Sequence, residues 1–496
     1  HCLGAKETQV TRLQTDEMKT LSLKIENVSM FVHFANKDSE VAQKVKDVIE
    51  NDLPKLHHYF DYKPKADVHF VISNQTQANG FATVFPRNQI VLNNYPPTGG
   101  DILGFSKDWL RNLVIHEYTH ILTLEMTHGI FSVLRKVFGS TVKVAGVLPQ
   151  WVSEGIAVWA ESYFTGEGRL NNPRYLFELT QSYQNPKICK KIDCLDEPKS
   201  FPFGSYPYLI GGYFLQYIEM QKGEKTLSCI FKNNSYKIPF FFSSAVKQCT
   251  QQDLNTLWDN FQTWIQSLKE SKESMCPLND ASKCFILNQQ QKKNGDFFVD
   301  WDKGYFTSGD SFVFALSMPK TSTFTYHQER YLALLNFSTK KLSKRRIQLS
   351  LDKIYPLGGD LGFGVTYFRS EFGTDVRKHM LYRINKENLE LVDKLGDSFQ
   401  ASYYFPGPQS DLFWEVDYND SKWQSRLLDK KGQQVGEKKF FNTSENIYYP
   451  QVQNNEIVFY SKEVDKLNHF SLSTAPKLNL NKKEVTDYSH LDYFNL

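Results

Sequence analysis

Hydrophobic positions in the first hundred residues alternate between two periods. Leu23-x-Ile25 and Met30-Phe31-Val32-His33 predict a pair of strands, and Val68-His69-Phe70-Val71-Ile72 a buried one. Between them, Ser39 to Phe60 carries Val41, Val45, Val48, Ile49 and Leu53 at helical spacing and predicts one amphipathic helix. Gly80-Phe81-Ala82-Thr83-Val84-Phe85 and Ile90-Val91-Leu92 predict a hairpin around Pro86-Arg87-Asn88-Gln89.

From about residue 106 the period becomes helical. Val114, Ile115, Tyr118, Ile121 and Leu122 form an apolar stripe, with Ser106 the expected N-cap and Asp108 in the first turn. Pro149 marks the start of a second helix bearing Trp151, Ile156, Val158 and Trp159. The intervening Ile130 to Phe138 run is apolar with a basic pair. A packed connector is its expected role, and a flap or membrane-touching segment the alternative. Residues 205–275 read mainly as helices, with Leu254, Leu257, Trp258, Phe261, Trp264 and Leu268 periodic.

After about residue 285 the pattern changes again. A polar linker, Asn288 to Gly295, leads into short strands separated by turn signals. Similar segments begin at Tyr331, Met380, Arg426 and His469, spaced 49, 46 and 43 residues apart. The pairs Tyr355-Pro356, Phe405-Pro406 and Tyr449-Pro450 recur 50 and 44 residues apart. A period near 45 with several strands per unit is that of propeller blades. The segment resembles a TolB-like or WD40-like β-propeller of 4–5 blades, with a β-sandwich or irregular β domain as the alternative. The expected division is a tether over 1–20, a domain over 21–284 (sheet part 21–105, helical part 106–284), and the β domain over 285–496.

Composition narrows the function. At 496 residues, with 41% hydrophobic and 15% aromatic residues, the chain can build two or three cores. A net charge of +3 gives no reason to expect nucleic acid as a partner. No apolar run is long enough to span a bilayer, and the start reads as already trimmed of a signal peptide. Six of seven cysteines fall between Cys189 and Cys284 without a Cys-x-x-Cys. Disulfides in an oxidising, exported compartment are expected, nearest-neighbour pairing being one arrangement among several. The remaining Cys2 precedes a polar stretch, Gly4 to Thr20, as a lipid-modified cysteine precedes a tether in a bacterial lipoprotein. A periplasmic, outer-membrane or secreted location, with membrane attachment through Cys2, is the corresponding expectation.

The chemistry concentrates in two stretches. His116-Glu117-Tyr118-Thr119-His120 places two imidazoles one turn apart on one helix face, where both reach a single metal ion. Glu117 is then placed to take a proton from water. A third ligand is required, and Glu154 sits in an apolar run where an unpaired carboxylate would be costly.

These residues carry a resemblance. His-Glu-x-x-His followed by Trp151-x-x-Glu154-Gly155-x-Ala157 resembles the gluzincin clan of zinc metallopeptidases, which includes aminopeptidase N-like enzymes, and within it the bacterial peptidase-MA-like group. The resemblance implies an α+β thermolysin-like catalytic domain, one zinc ion per chain, and Glu154 as third ligand. It implies that Glu161 supports a zinc histidine from behind. Pro207-Tyr208-x-x-Gly211 is similar to the clan's segment whose tyrosine donates to the oxyanion, which makes Tyr208 the candidate. Such a domain is often followed by a propeller, which would bind a protein partner or restrict access. One departure matters: clan aminopeptidases carry Gly-Ala-Met-Glu-Asn on the cleft strand, and here Asn79-Gly80-Phe81-Ala82-Thr83 has no acid. Gly80, Phe81 and Ala82 would still bind an extended peptide or protein through the main chain. Endopeptidase action is therefore expected over aminopeptidase action. The alternatives are an envelope binding protein whose propeller recognises a partner, and a zinc hydrolase of a non-peptide substrate.

Overall fold

The computed structural model describes most of residues 18–270 and 298–471. Residues 1–17, 74–78, 98–105, 139–147, 184–190, 197–204, 238–240, 271–297 and 472–496, with shorter stretches elsewhere, lie outside the described residues. Residues 1–17 of the expected tether, with Cys2, Cys189, Cys276, Cys284 and the polar linker, fall there, while its last three residues, 18–20, belong to a strand. The chain divides into two compact units, His1–Pro97 with Ile102–Glu273, and Thr98–Asp101 with Ser274–Leu496.

The first unit opens on a five-stranded sheet of β1 (Met18–Ile25), β2 (Val28–Ala35), β3 (Val68–Ser73), β4 (Gly80–Thr83) and β5 (Asn88–Asn93), in the order β1-β2-β3-β5-β4. The inner pairs β2–β3 and β3–β5 are parallel, and the outer pairs are antiparallel. The parallel pairing of β2 and β3 needs a crossover, which α1 (Ser39–Asn51) and α2 (Leu53–Phe60) provide. Sequence periodicity predicts one helix here. The structure breaks it at Asp52, just before Pro54, which has no N–H to continue the helical ladder. The Asp52 carboxylate holds Lys55 at 2.8 Å and Arg111 at 2.7 Å, so the break also ties the crossover to the next helix.

That helix is α3 (Trp109–Glu125). Its cap is Asp108, whose side chain accepts from the Arg111 N–H at 2.9 Å, rather than Ser106. Helix α3 is buried nearly all round, with Val114, Ile115, Tyr118, Ile121 and Leu122 in one core with the sheet. Then follow α4 (Gly129–Phe138), α5 (Gln150–Thr165), α6 (Tyr206–Lys222), α7 (Thr226–Asn234), α8 (Phe242–Thr250) and α9 (Leu254–Glu270). A disulfide, Cys229–Cys249, joins α7 to α8.

Helix α4 is not a simple packed connector. Arg135 turns inward and pairs with Glu125, while Ile130, Val133 and Val137 face outward at 68%, 59% and 70% exposure. No helix among the described residues is long and apolar enough to cross a membrane.

The second unit is all β. Strands β6–β9 span Phe298–Phe306, Ser311–Thr321, Tyr326–Asn336 and Lys341–Ile347. Strands β10–β13 span Leu351–Gly358, Leu361–Phe368, Lys378–Asn385 and Glu390–Phe399. Strands β14–β17 span Tyr403–Pro406, Leu412–Asn419, Lys422–Asp429 and Lys439–Phe440, and β18–β20 span Tyr448–Gln453, Glu456–Ser461 and Lys466–Ser471. These form four successive open sheets, each an antiparallel meander in sequence order. The repeat seen in the sequence is the repeat of these sheets. Tyr355-Pro356, Phe405-Pro406 and Tyr449-Pro450 lie in the first strands of the second, third and fourth sheets. The segments at Tyr331, Met380, Arg426 and His469 all lie in third strands. Among these first strands, β10 abuts β6, β14 abuts β10 and β18 abuts β14.

Candidate metal centre

Two helices and a glycine crossing assemble the site. Helix α3 presents His116 and His120 one turn apart, and α5 presents Glu154 from its first two turns. Helix α5 crosses α6 at Gly155 and Gly211. A Cβ on Gly155 would stand 2.6 Å from the Gly211 carbonyl carbon, and one on Gly211 would stand 2.5 Å from the Trp151 carbonyl oxygen. Only the absence of side chains lets these backbones approach so closely. The crossing brings Glu154, beside Gly155, and Tyr208, one turn before Gly211, to the same cavity.

The donor atoms form a near-equilateral triangle. His116 Nε2 and His120 Nε2 are 3.3 Å apart, and Glu154 Oε2 is 3.6 Å from the first and 3.4 Å from the second. Zinc bonds of roughly 2.0–2.1 Å in a tetrahedron place ligand atoms about 3.3–3.4 Å apart, so the triangle has the size of one zinc face. Among the described residues this is the group of His, Cys, Asp or Glu side chains close enough to hold an ion. Its electrostatics point the same way: burial and Arg169 push the His116 pKa down, yet Glu154 and Glu161 outweigh them and raise it to about 9. The site thus calls for positive charge between its imidazoles and carboxylates.

Behind the triangle, Glu161 Oε2 stands 3.0 Å from His116 Nδ1. Burial opposes the Glu161 charge, but Arg169 and His116 prevail and hold its pKa at about 2. An ionised carboxylate only accepts, so His116 Nδ1 keeps its proton, and Nε2 is the nitrogen that can give up its own to an ion in the triangle. Arg169 completes the clamp, donating from Nε at 2.7 Å and Nη2 at 2.8 Å to the two Glu161 oxygens, and from its backbone N–H at 3.1 Å. The Arg169 Nη2 also lies 2.8 Å from His116 Nδ1, a close approach of two donors that share one acceptor. On the far side of the second imidazole, Ser153 Oγ is 3.3 Å from His120 Nδ1.

Glu117 is buried and lines the same cavity, of about 410 Å³. Burial raises its pKa, with His116, His120 and Arg169 pulling the other way. Tyr208 stacks on His116 with ring centroids 6.5 Å apart, and the Arg169 guanidinium lies 5.4 Å from the Tyr208 ring centre. Burial first, and then the Glu154 charge, push the Tyr208 pKa up, so its hydroxyl keeps its proton. The edge strand β4 forms one wall: Gly80, Phe81 and Ala82 all line the cavity. A Cβ on Gly80 would come within 3.1 Å of the Glu117 Cγ, so β4 runs directly against the Glu117 side chain.

All nine site residues expected from the sequence therefore meet at one cavity. Comparison with known proteins adds no family. No family model matches the chain. An uncharacterized protein of Treponema pallidum (strain Nichols) is 23% identical over 252 residues, 50% of this chain and 22% of its own length. The chain thus spans about a fifth of that relative. Legionella pneumophila aminopeptidase A, solved with aspartic acid, aligns over 67% of this chain and 36% of its own at 10% identity, TM-score 0.32. An M1 zinc metallopeptidase from Deinococcus radiodurans aligns over 50% of this chain and 51% of its own at 12% identity, TM-score 0.29. At such scores these likenesses carry no weight, and the reading rests on the site's own geometry.

Sequence reasoning missed Arg169 and Ser153. Arg169 belongs to a short 3-10 turn (Arg169–Asn171) beyond the C-terminus of α5, and no periodicity marks it. The signal lies in Gly166 and Gly168. Gly166 ends α5 in the left-handed region at φ 75°, and a Cβ on Gly168 would stand 2.5 Å from the Ser162 nitrogen. The chain folds back against α5 there and returns Arg169 to Glu161.

Proposed function

We propose that this chain is a zinc-dependent metallopeptidase. The observation that carries the reading is the triangle of His116, His120 and Glu154 donor atoms, 3.3–3.6 Å on a side, with the Glu117 carboxyl in the same cavity. Zinc, when bound there, supplies Lewis acidity to a water and to the scissile carbonyl. Glu117 takes the proton from the attacking water and passes it to the leaving amine, and its burial-raised pKa suits a group that must both accept and release one. The Tyr208 hydroxyl, kept protonated, donates to the carbonyl oxygen as negative charge develops on it. Glu161 and Arg169 fix the His116 tautomer. Strand β4 holds an extended peptide along its outer edge, beside Glu117.

Endopeptidase action is the finer reading. It is supported by the composition of β4, Gly80-Phe81-Ala82-Thr83, which offers main-chain groups but no carboxylate for a terminal amine. The second unit is read as a β-propeller that admits or recognises a protein partner, supported by four successive antiparallel meanders in sequence order. The Cys229–Cys249 disulfide supports an oxidising, exported compartment; envelope anchoring through Cys2 is part of the same proposal.

The test is metal analysis joined to cleavage profiling. The purified chain should carry one zinc, cleave members of an unbiased peptide library, lose cleavage with a chelator and regain it with zinc. A zinc-loaded chain that cleaves no peptide overturns the peptidase reading and leaves a zinc hydrolase of another substrate, or a binding protein.

A further inference from the structure

Helix α4, between the two helices of the metal centre, turns its apolar side outward. Ile130, Val133 and Val137 stand at i, i+3 and i+7, form one stripe, and are each more than half exposed. The opposite side carries Arg135, buried and paired with the buried Glu125. That ion pair fixes the rotation of the helix, because Arg135 cannot swing outward without leaving a buried carboxylate unpaired. The apolar stripe is thereby held toward solvent.

One flank of the stripe is basic. Ser132 and Lys136, four residues apart, share that flank, and Lys136 is exposed. Lys65, from the segment between α2 and β3, donates to Ser132 Oγ at 2.8 Å and so brings a second exposed ammonium to the same flank. Burial, and then Arg135 and Lys136, lower the Lys65 pKa, so three cations gather here, and the Glu125 carboxylate is taken by Arg135. At the N-terminal end of the helix Tyr236, half exposed, lies against Gly129 and stacks on His128 with ring centroids 4.9 Å apart.

We propose that this face of α4 docks on a lipid bilayer with anionic headgroups, Ile130, Val133 and Val137 entering the acyl boundary and Lys65 and Lys136 meeting the lipid phosphates. Charge is the first argument: a basic flank beside an apolar stripe complements an anionic, apolar boundary, and lysine stems can lie along the boundary with their ammonium groups at headgroup level. Tyr236, with an apolar ring and a polar tip, suits the same depth. Area is the second argument. The stripe exposes a few hundred Å², against the roughly 800 Å² that each partner gives to a stable protein interface. A bilayer needs no matching partner surface, since each side chain that enters adds its own transfer free energy. The docking is peripheral and reversible, and it depends on neither zinc nor cleavage.

Co-sedimentation with vesicles tests it, using the Cys2→Ser chain so that no acyl anchor takes part. The chain should bind phosphatidylcholine vesicles containing about one third phosphatidylglycerol, bind phosphatidylcholine alone more weakly, and release as salt rises. Ile130→Gln/Val133→Gln/Val137→Gln should weaken binding at least about 10-fold, while Val137→Trp should tighten it. Lys136→Gln should cost about 5-fold on the anionic vesicles and little on the neutral ones. Absence of vesicle binding, or binding unmoved by both the triple substitution and Val137→Trp, overturns the proposal. Self-association without vesicle binding, abolished by the triple substitution, overturns it too and gives the stripe to a second copy of the chain.

Discussion

Glu161 stands 3.0 Å from His116 Nδ1 and 2.8 Å from Arg169 Nη2, so one buried carboxylate joins an imidazole of the donor triangle to a guanidinium. Loss of Arg169 leaves Glu161 buried without its strongest partner, and the carboxyl then protonates or turns away from the imidazole. Arg169→Met should weaken zinc binding about 10- to 100-fold, the usual effect of removing a group that orients a metal ligand. Arg169→Lys should recover part of the loss, and Glu161→Gln combined with Arg169→Met should cost little more than either alone. Titration against a chromogenic zinc chelator gives all four affinities. Zinc binding in Arg169→Met equal to that of the unsubstituted chain excludes the coupling.

Glu117 tests the proton path. It lines the cavity without belonging to the donor triangle. Glu117→Gln should keep one zinc per chain and lose roughly 10²–10⁴-fold in kcat, the span expected for removal of a general base. Metal analysis alongside single-turnover kinetics checks both halves, and undiminished turnover would remove Glu117 from the mechanism.

The glycine crossing makes a stability prediction whose sign is not obvious. Gly155→Ala raises helix propensity by about 1 kcal/mol. Against this, the new Cβ meets backbone of Gly211 at 2.6 Å, and backbone does not rotate aside as a side-chain tip does. Overpacking of about 1–3 kcal/mol should win, with a lower Tm and a weaker zinc site, because Glu154 is the adjacent residue. Thermal melts with and without zinc read both effects; a raised Tm would show that the helices part freely.

A pair of histidines on the sheet predicts acid sensitivity away from the cavity. His33 Nε2 lies 3.0 Å from His69 Nδ1, and the rings stack 5.3 Å apart. Burial, and then the neighbouring His69 and Arg87, lower the His33 pKa; burial and Arg87 lower that of His69, against Asp67. Both pKa values are depressed in the native chain, so between them and about 6.5 the unfolded chain binds more protons. Stability is therefore present above about pH 6.5 and lost as pH falls below it. His57 and His128 are shifted in the same direction and add to the slope. Denaturant midpoints measured from about pH 7.5 down to about pH 5 should decline less steeply in His33→Gln/His69→Gln. Identical slopes would show that the pair titrates normally.

The chemistry of the site was legible because its signals are local. His116, Glu117 and His120 announce themselves by helical spacing, and Glu154 by the cost of a carboxylate in an apolar run. What joins them was not legible. Gly155 and Gly211 matter through an approach between residues 56 apart in the chain, which no window of sequence contains. Arg169 reaches Glu161 through a reversal of the chain. Helix α4 shows the same limit. Its pattern is that of a core helix, but the ion pair of Arg135 with Glu125 turns the charged residue inward and leaves Ile130, Val133 and Val137 outside. The helix near Asp52 was drawn too long because apolar spacing continues through a position where Pro54 and the Asp52 ion pairs interrupt the backbone.

Among the described residues, each sheet of the second unit is hydrogen-bonded from consecutive strands of the chain, and no strand is lent to a neighbour. Length in this half of the molecule can therefore change in whole steps. Excising or duplicating one stretch, from the start of one first strand to the start of the next, leaves every remaining ladder with its own partners. Homologous chains with different numbers of such steps would keep the same local hydrogen bonding, and shuffling of these pieces would be tolerated at the joins and not within them.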